Sequence, residues 1–186
     1  MLTKSDRILR DLDLLTRIHQ KSKAVVQMTL TTLDENLCRK LEPNVATTRA
    51  RFQVLMEMKR AGIPTVVWLC PILPWINDTR ENIGGLLELC REAGVYGVIC
   101  FDMGLTLREG NRAYFYHQLD RHFPGLKAQY IRRYGDQYIV NSPDNAALMR
   151  YFHETCHRYG MIHNNDRIFQ YVSQFEEKSP QLRFCD

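Results

Sequence analysis

The 186-residue sequence contains no apolar run approaching the ~20 residues that a membrane-spanning helix requires. Its opening, Met1-Leu2-Thr3-Lys4-Ser5-Asp6-Arg7, lacks the apolar stretch of a secretory signal. A cytoplasmic chain with no membrane partner is therefore expected. Charge of one sign is not gathered into a block. The formal charge of +4 and pI of 8.8 arise from Lys and Arg scattered among Asp and Glu, a pattern that does not indicate a nucleic-acid partner. No two of the six cysteines (38, 70, 90, 100, 156 and 185) lie closer than ten residues, so C-x-x-C and other close metal-ligand spacings are excluded. They are expected as reduced thiols, with Cys90 on the apolar face of a helix and Cys70 and Cys100 ending strands. G-x-G-x-x-G, the P-loop, the nucleophile elbow and closely spaced carboxylate ladders are also missing.

What is present, at 45% hydrophobic and 25% charged residues, suffices for one substantial core. The strongest signal is a unit that occurs twice. An amphipathic helix stops at Ala-Gly (Ala61-Gly62, Ala93-Gly94) and runs into a short apolar strand, 64–69 or 95–100. An earlier helix, about Asp6 to Gln20 with Asp6 as N-cap and Ile8, Leu12, Leu15 and Ile18 on one face, leads into the apolar strand 25–30. Helices are further expected at 35–41, 48–60 and from Asp78 or Thr79 to Gly94. Strands alternating with helices imply a parallel sheet, whose chemistry belongs at the strand C-terminal ends. Beyond about Asn111 the pattern turns helical (111–123, 126–134, 143–159 and 166–175), with a short extended piece at 137–140 and a surface tail at 178–186. Residues 1–110 thus read as βα units and 111–186 as a helical C-terminal extension.

The sharpest local motif, His153-Glu154-Thr155-Cys156-His157, matches H-E-x-x-H, the zinc-hydrolase pattern with two imidazoles one helical turn apart. The helical wheel opposes it: Leu148, Phe152, Thr155, Cys156 and Tyr159 form the packing stripe and leave the histidines on the polar face. A third ligand is undefined among His163, Asp166, Glu176 and Glu177. Thr29, Thr31 and Thr32 end a strand where α/β folds present hydroxyls to ligands, although strand propensity and helix capping explain threonines there as well. Lys4 precedes a helix start, a place where a lysine is ordinarily a surface charge. Pro71-Ile72-Leu73-Pro74 and Asn77 either wall a pocket or only redirect the chain.

Thr3-Lys4-Ser5 with Ile8 to Leu15, Met28 to Glu35, Leu41-Glu42-Pro43, Pro71 to Asp78, Cys156 to Gly160 and Gln181-Leu182 together resemble radical SAM proteins of the spore photoproduct lyase-like group, in order and over the whole chain. The resemblance implies an α/β fold, the C-terminal half of a partial (βα)6 barrel, with 25–30, 64–69 and 95–99 as strands four to six and Thr3-Lys4 ending the third. It implies S-adenosylmethionine and a four-iron four-sulfur (4Fe-4S) cluster for the complete family protein. An electron from the reduced cluster splits the sulfonium, so the cofactor performs the hard step. Lys4 and Thr29, with Thr31 nearby, resemble positions near the aminoacyl part of S-adenosylmethionine, and Pro71, Ile72 and Leu73 resemble the wall beside the adenine. The family's C-x-x-x-C-x-x-C loop and glycine-rich segment are not in this sequence, so no cluster is expected on this chain. The first expectation is the C-terminal part of a radical SAM enzyme, shortened by a gene-model error or a disrupted reading frame and silent alone. The alternative is a non-enzymatic binding module completed by a second chain.

Overall fold

The computed structural model describes residues 1–175. The expectations for the tail at 178–186, for Gln181-Leu182 and for Glu176, Glu177 and Cys185 fall outside the described residues. A parallel sheet of order β1-β2-β3-β4 forms from Leu2–Thr3, Val26–Thr29, Thr65–Trp68 and Gly97–Ile99. Helices α1 (Leu12–Lys21), α2 (Glu35–Leu41), α3 (Thr48–Arg60) and α4 (Arg80–Ala93) connect the strands. A two-stranded antiparallel ribbon, β5 (Gly104–Thr106) with β6 (Ile139–Asn141), brackets α5 (Asn111–His122) and α6 (Leu126–Tyr134). Helices α7 (Asn145–Arg158) and α8 (Asn165–Ser173) close the described chain. No helix among the described residues is long and apolar enough to cross a membrane.

Local chemistry sets the boundaries. Both Ala-Gly stops act as read: Gly62 and Gly94 take φ of 70° and 62°, a left-handed conformation that ends a helix without the penalty a Cβ would bring. Thr79 caps α4 by accepting from the Asn82 N–H, and Asp34 caps α2 by accepting from the Leu37 N–H. The first helix departs from expectation. Ser5, not Asp6, accepts the capping bond, and Asp6–Asp11 is a 3-10 helix that only then becomes α1. Three residues per turn instead of 3.6 shift the phase of the apolar face. Ile8 and Leu15 are buried, whereas Ile18 is half exposed.

Alternation along the strands sends Val26, Met28, Val67 and Val98 into the main core beneath α3 and α4, and Val66 and Ile99 to the opposite face with Ile168 of α8. Leu148, Phe152 and Cys156 of α7 join the main core too, so the C-terminal helices share the interior of the βα units across position 110. The loop after β3 is fastened to α6. Trp75 packs edge-on against Tyr130 at 5.2 Å, and the Tyr130 hydroxyl donates to the Pro74 carbonyl.

Candidate functional site

In-register parallel pairing puts Thr29, Trp68 and Ile99 in one row, so the ends of β2, β3 and β4 emerge together, with Lys4 one residue beyond β1. Lys4 does not stand free. Its ammonium meets one oxygen of Glu42, and the other oxygen accepts from the Arg51 guanidinium at 2.7 Å. Arg51 is fully buried, and its Nε and Nη1 donate to the carbonyls of Ala46 (2.7 Å) and Thr29 (3.0 Å). One guanidinium therefore ties the end of β2, the α2–α3 loop and the carboxylate holding Lys4. Glu42 is placed by the end of α2, where the residue before Pro43 leaves the helical region. Neither Glu42 nor Arg51 figures in the site read from sequence. The available signal is a cation in the apolar face formed by Val54, Leu55 and Met58, a place where an unpaired arginine would be costly.

Thr31 and Thr32 belong to a buried amide network. Asn77 Nδ2 donates to the Thr31 carbonyl (2.9 Å) and the Thr32 hydroxyl (3.1 Å), while Asn82 Nδ2 donates to the Thr31 (2.9 Å) and Asn77 (2.8 Å) carbonyls. Each Asn oxygen in turn accepts a backbone N–H, from Leu73 and Leu33 respectively. The network satisfies loop groups that would otherwise be buried without partners, and it fixes the segments after β2 and β3 to α4.

Between the ends of β3 and β4 and the β5–β6 ribbon lies an open cleft of about 580 Å³. Pro71 and Phe101 give it apolar surface, and Cys70, Asp102, Arg108 and Asn141 give it polar atoms. Asp102 accepts from Asn145 Nδ2 at 2.8 Å, and Arg108 donates to the Tyr138 hydroxyl at 3.2 Å. Asn141 Oδ1 is buried without a hydrogen-bond partner among the described residues. It presses on Gly104, where an added Cβ would come within 2.3 Å of that oxygen and 2.4 Å of the Val140 carbonyl, so β6 can lie this close only against glycine. Burial raises the Cys70 thiol above its ordinary range, with the Lys4 ammonium pulling partly the other way.

The sequence-derived residues are thus dispersed. Pro71 lines this cleft, Ile72 is buried in the core with its N–H donating to the Gly104 carbonyl (3.1 Å), and Leu73 lines a second cleft. Lys4 and Thr29 are joined through Arg51 and Glu42, and Thr31 lies in the amide network. None of the three lines the cleft at the ends of β3 and β4. His153, Glu154 and His157 occupy the exposed side of α7, opposite the buried Leu148, Phe152, Thr155 and Cys156. The His153 ring lies 5.1 Å from that of His163. Partial burial, and secondarily His163, lower the His153 pKa below the usual histidine value. In an NMR titration His153 should accordingly stay neutral to lower pH than a free histidine, and His163→Gln should move its midpoint partly back up. Because the folded state holds this proton less tightly than the unfolded chain, the small contribution acts against folding as pH falls below the unfolded-state value.

No family model matches the chain. It is 33% identical over 134 residues, 72% of its length, to an uncharacterized protein of Mycobacterium tuberculosis, of which the match covers 39%. It is 33% identical over 87 residues to an uncharacterized protein of Acidianus two-tailed virus, covering 28% of that protein, and 32% identical over 84 residues to one of Methanocaldococcus jannaschii, covering 31%. This chain is therefore similar to a part of considerably longer proteins and spans well under half the length of each of these relatives.

Proposed function

We propose that this chain supplies the second half of a radical SAM-type (βα)6 barrel and part of an S-adenosylmethionine pocket, with the cluster held by a further segment or a second chain. The observation that carries this reading is an all-parallel sheet whose β1 edge pairs with no strand among the described residues, beside a polar-and-apolar cleft at the strand C-terminal ends. Such a sheet would form part of a barrel wall, and such a cleft lies where α/β folds bind nucleotide-like ligands.

The cleft fits the adenosyl part of the cofactor chemically. Pro71 and Phe101 would cover a flat purine, and the Asp102 carboxylate would accept from ribose hydroxyls. Lys4 would share its charge between Glu42 and the ligand carboxylate. When bound with a reduced cluster, S-adenosylmethionine supplies one-electron cleavage of its sulfonium. The described thiols do not fit the cluster itself. Cys38, Cys90 and Cys156 are buried on separate helices, Cys70 and Cys100 follow neighbouring strands, and burial raises Cys70, Cys90, Cys100 and Cys156, the last to about 12, against the thiolate that iron requires.

Anaerobic reconstitution with iron and sulfide tests the proposal. The full-length Mycobacterium tuberculosis relative should take up about four irons per chain, as one such cluster requires, and this chain alone should retain none. A relative that binds no iron, or a stable cluster on this chain, would sink it. The open β1 edge, with Met1 and Leu2 more than half exposed, also favours the reading as a binding module completed by another polypeptide. For that module, sedimentation should show self-association or capture of the completing chain, and a stable monomer with neither would count against it.

A further inference from the structure

A second cleft, of about 410 Å³, opens between the end of α2 and the length of α5. Its floor includes Leu73, Ile76, Phe115 and Phe123, of which the last three pack on the cluster around the buried Leu119 and Tyr130. Its rim carries Arg39 and Lys40 from the last turn of α2 and Arg121 and His122 from the last turn of α5. No Asp or Glu lines it. The nearby carboxylates are engaged elsewhere: Asp120 holds Lys127 at 2.7 Å, and Glu42 holds Lys4 and Arg51. Glu35 approaches Arg39 only at 3.8 Å.

Cations in a last turn have an ordinary explanation, since they offset the partial negative charge of a helix C-terminus. That explains each pair in its own helix. It does not explain why Arg39, Lys40 and Arg121 converge on one apolar-floored cavity whose lining holds no carboxylate, where a bound anion would relieve their mutual repulsion. Apolar aromatic surface below and positive charge above select a ligand that has both characters. We propose that this cleft binds a small aromatic acid, an anionic group carried on a flat apolar body. The Lys40 ammonium lies over the Phe123 ring at 5.5 Å from its centre, which leaves it within reach of an anion at the rim. The volume is near the lower end of the range for small-molecule sites, about 300–1,000 Å³. Asn111 lines this cleft and also the one at the ends of β3 and β4, but the proposal is independent of what that neighbour holds.

A matched pair of fluorescent probes tests it on the intact chain: 8-anilinonaphthalene-1-sulfonate, and N-phenyl-1-naphthylamine, which has the same aromatic frame without the sulfonate. The sulfonate should bind at one saturable site, weaken as salt is raised, and bind about tenfold or more weakly to Lys40→Glu/Arg121→Glu. The neutral amine should bind the parent more weakly and respond to neither change. Equal sulfonate binding by parent and variant, or amine binding as tight as sulfonate binding, would overturn the proposal. Lys40 and Arg121 are exposed, so the variant should keep the parental circular dichroism; should it not, the salt and neutral-probe comparisons on the parent still decide.

Discussion

Arg51→Ala is expected to cost about 3–5 kcal/mol, a large share of the total stability of a domain this size. The guanidinium is fully buried and makes one charged and two carbonyl contacts, so its removal leaves a largely buried Glu42 with only the half-exposed Lys4 and strips the Ala46 and Thr29 carbonyls of a donor. The asymmetry is the test. Breaking a buried pair strands the surviving charge, whereas replacing both members by apolar groups removes the stranded charge as well. Urea denaturation should therefore show Arg51→Met/Glu42→Leu regaining part of the loss of Arg51→Met alone. Lys4→Met, whose ammonium is screened by water, should change stability by less than about 1 kcal/mol. If Arg51→Ala costs no more than Lys4→Met, the guanidinium does not anchor the end of β2.

Phe152→Ala should cost about 3–5 kcal/mol while leaving a single cooperative transition. Phe152 is fully buried on α7, inside the core that contains β2, β3, β4, α3 and α4. Contact between α7 and α4 is close enough that a Cβ on Gly84 would meet the Tyr151 hydroxyl at 2.4 Å. A cavity at Phe152 therefore loosens the βα units and the C-terminal helices together. Thermal unfolding followed by near-UV and far-UV circular dichroism should shift as one. Two separated transitions would mean that residues beyond 110 fold as an independent unit.

Most of the helical architecture was legible in the sequence. The 35–41, 48–60 and 126–134 helices occur with those boundaries, because apolar periodicity and a Gly or Pro stop are local signals that tertiary contacts have no reason to override. Of three short strands, β5 was not read, whereas β1 and β6 were anticipated only in outline, as Thr3-Lys4 ending a strand and an extended piece at 137–140. β1 is two residues long, and β5 and β6 are three each, too short for alternation to register. The ribbon exists because Gly104 admits β6, a close approach that depends on residues 36 positions or more away in the chain. The threonines at the end of β2 and Asn77 were visible as polar residues, but the network joining them through Asn82 was not.

By itself, then, the sequence determined the alternation of helices and strands, the left-handed stops at Gly62 and Gly94, the parallel sheet, and the exposure of His153 and His157 on α7. The tertiary structure alone decided which polar residues converge. It buried Arg51 against Glu42, turned Ile72 into the core, left Asn141 Oδ1 buried against Gly104 with no hydrogen-bond partner among the described residues, and gathered the basic ends of α2 and α5 around one apolar floor. The reason is range. Helix periods and caps act within a few residues, whereas a site is assembled from chain ends of several elements whose separation in sequence carries no trace of their distance in space.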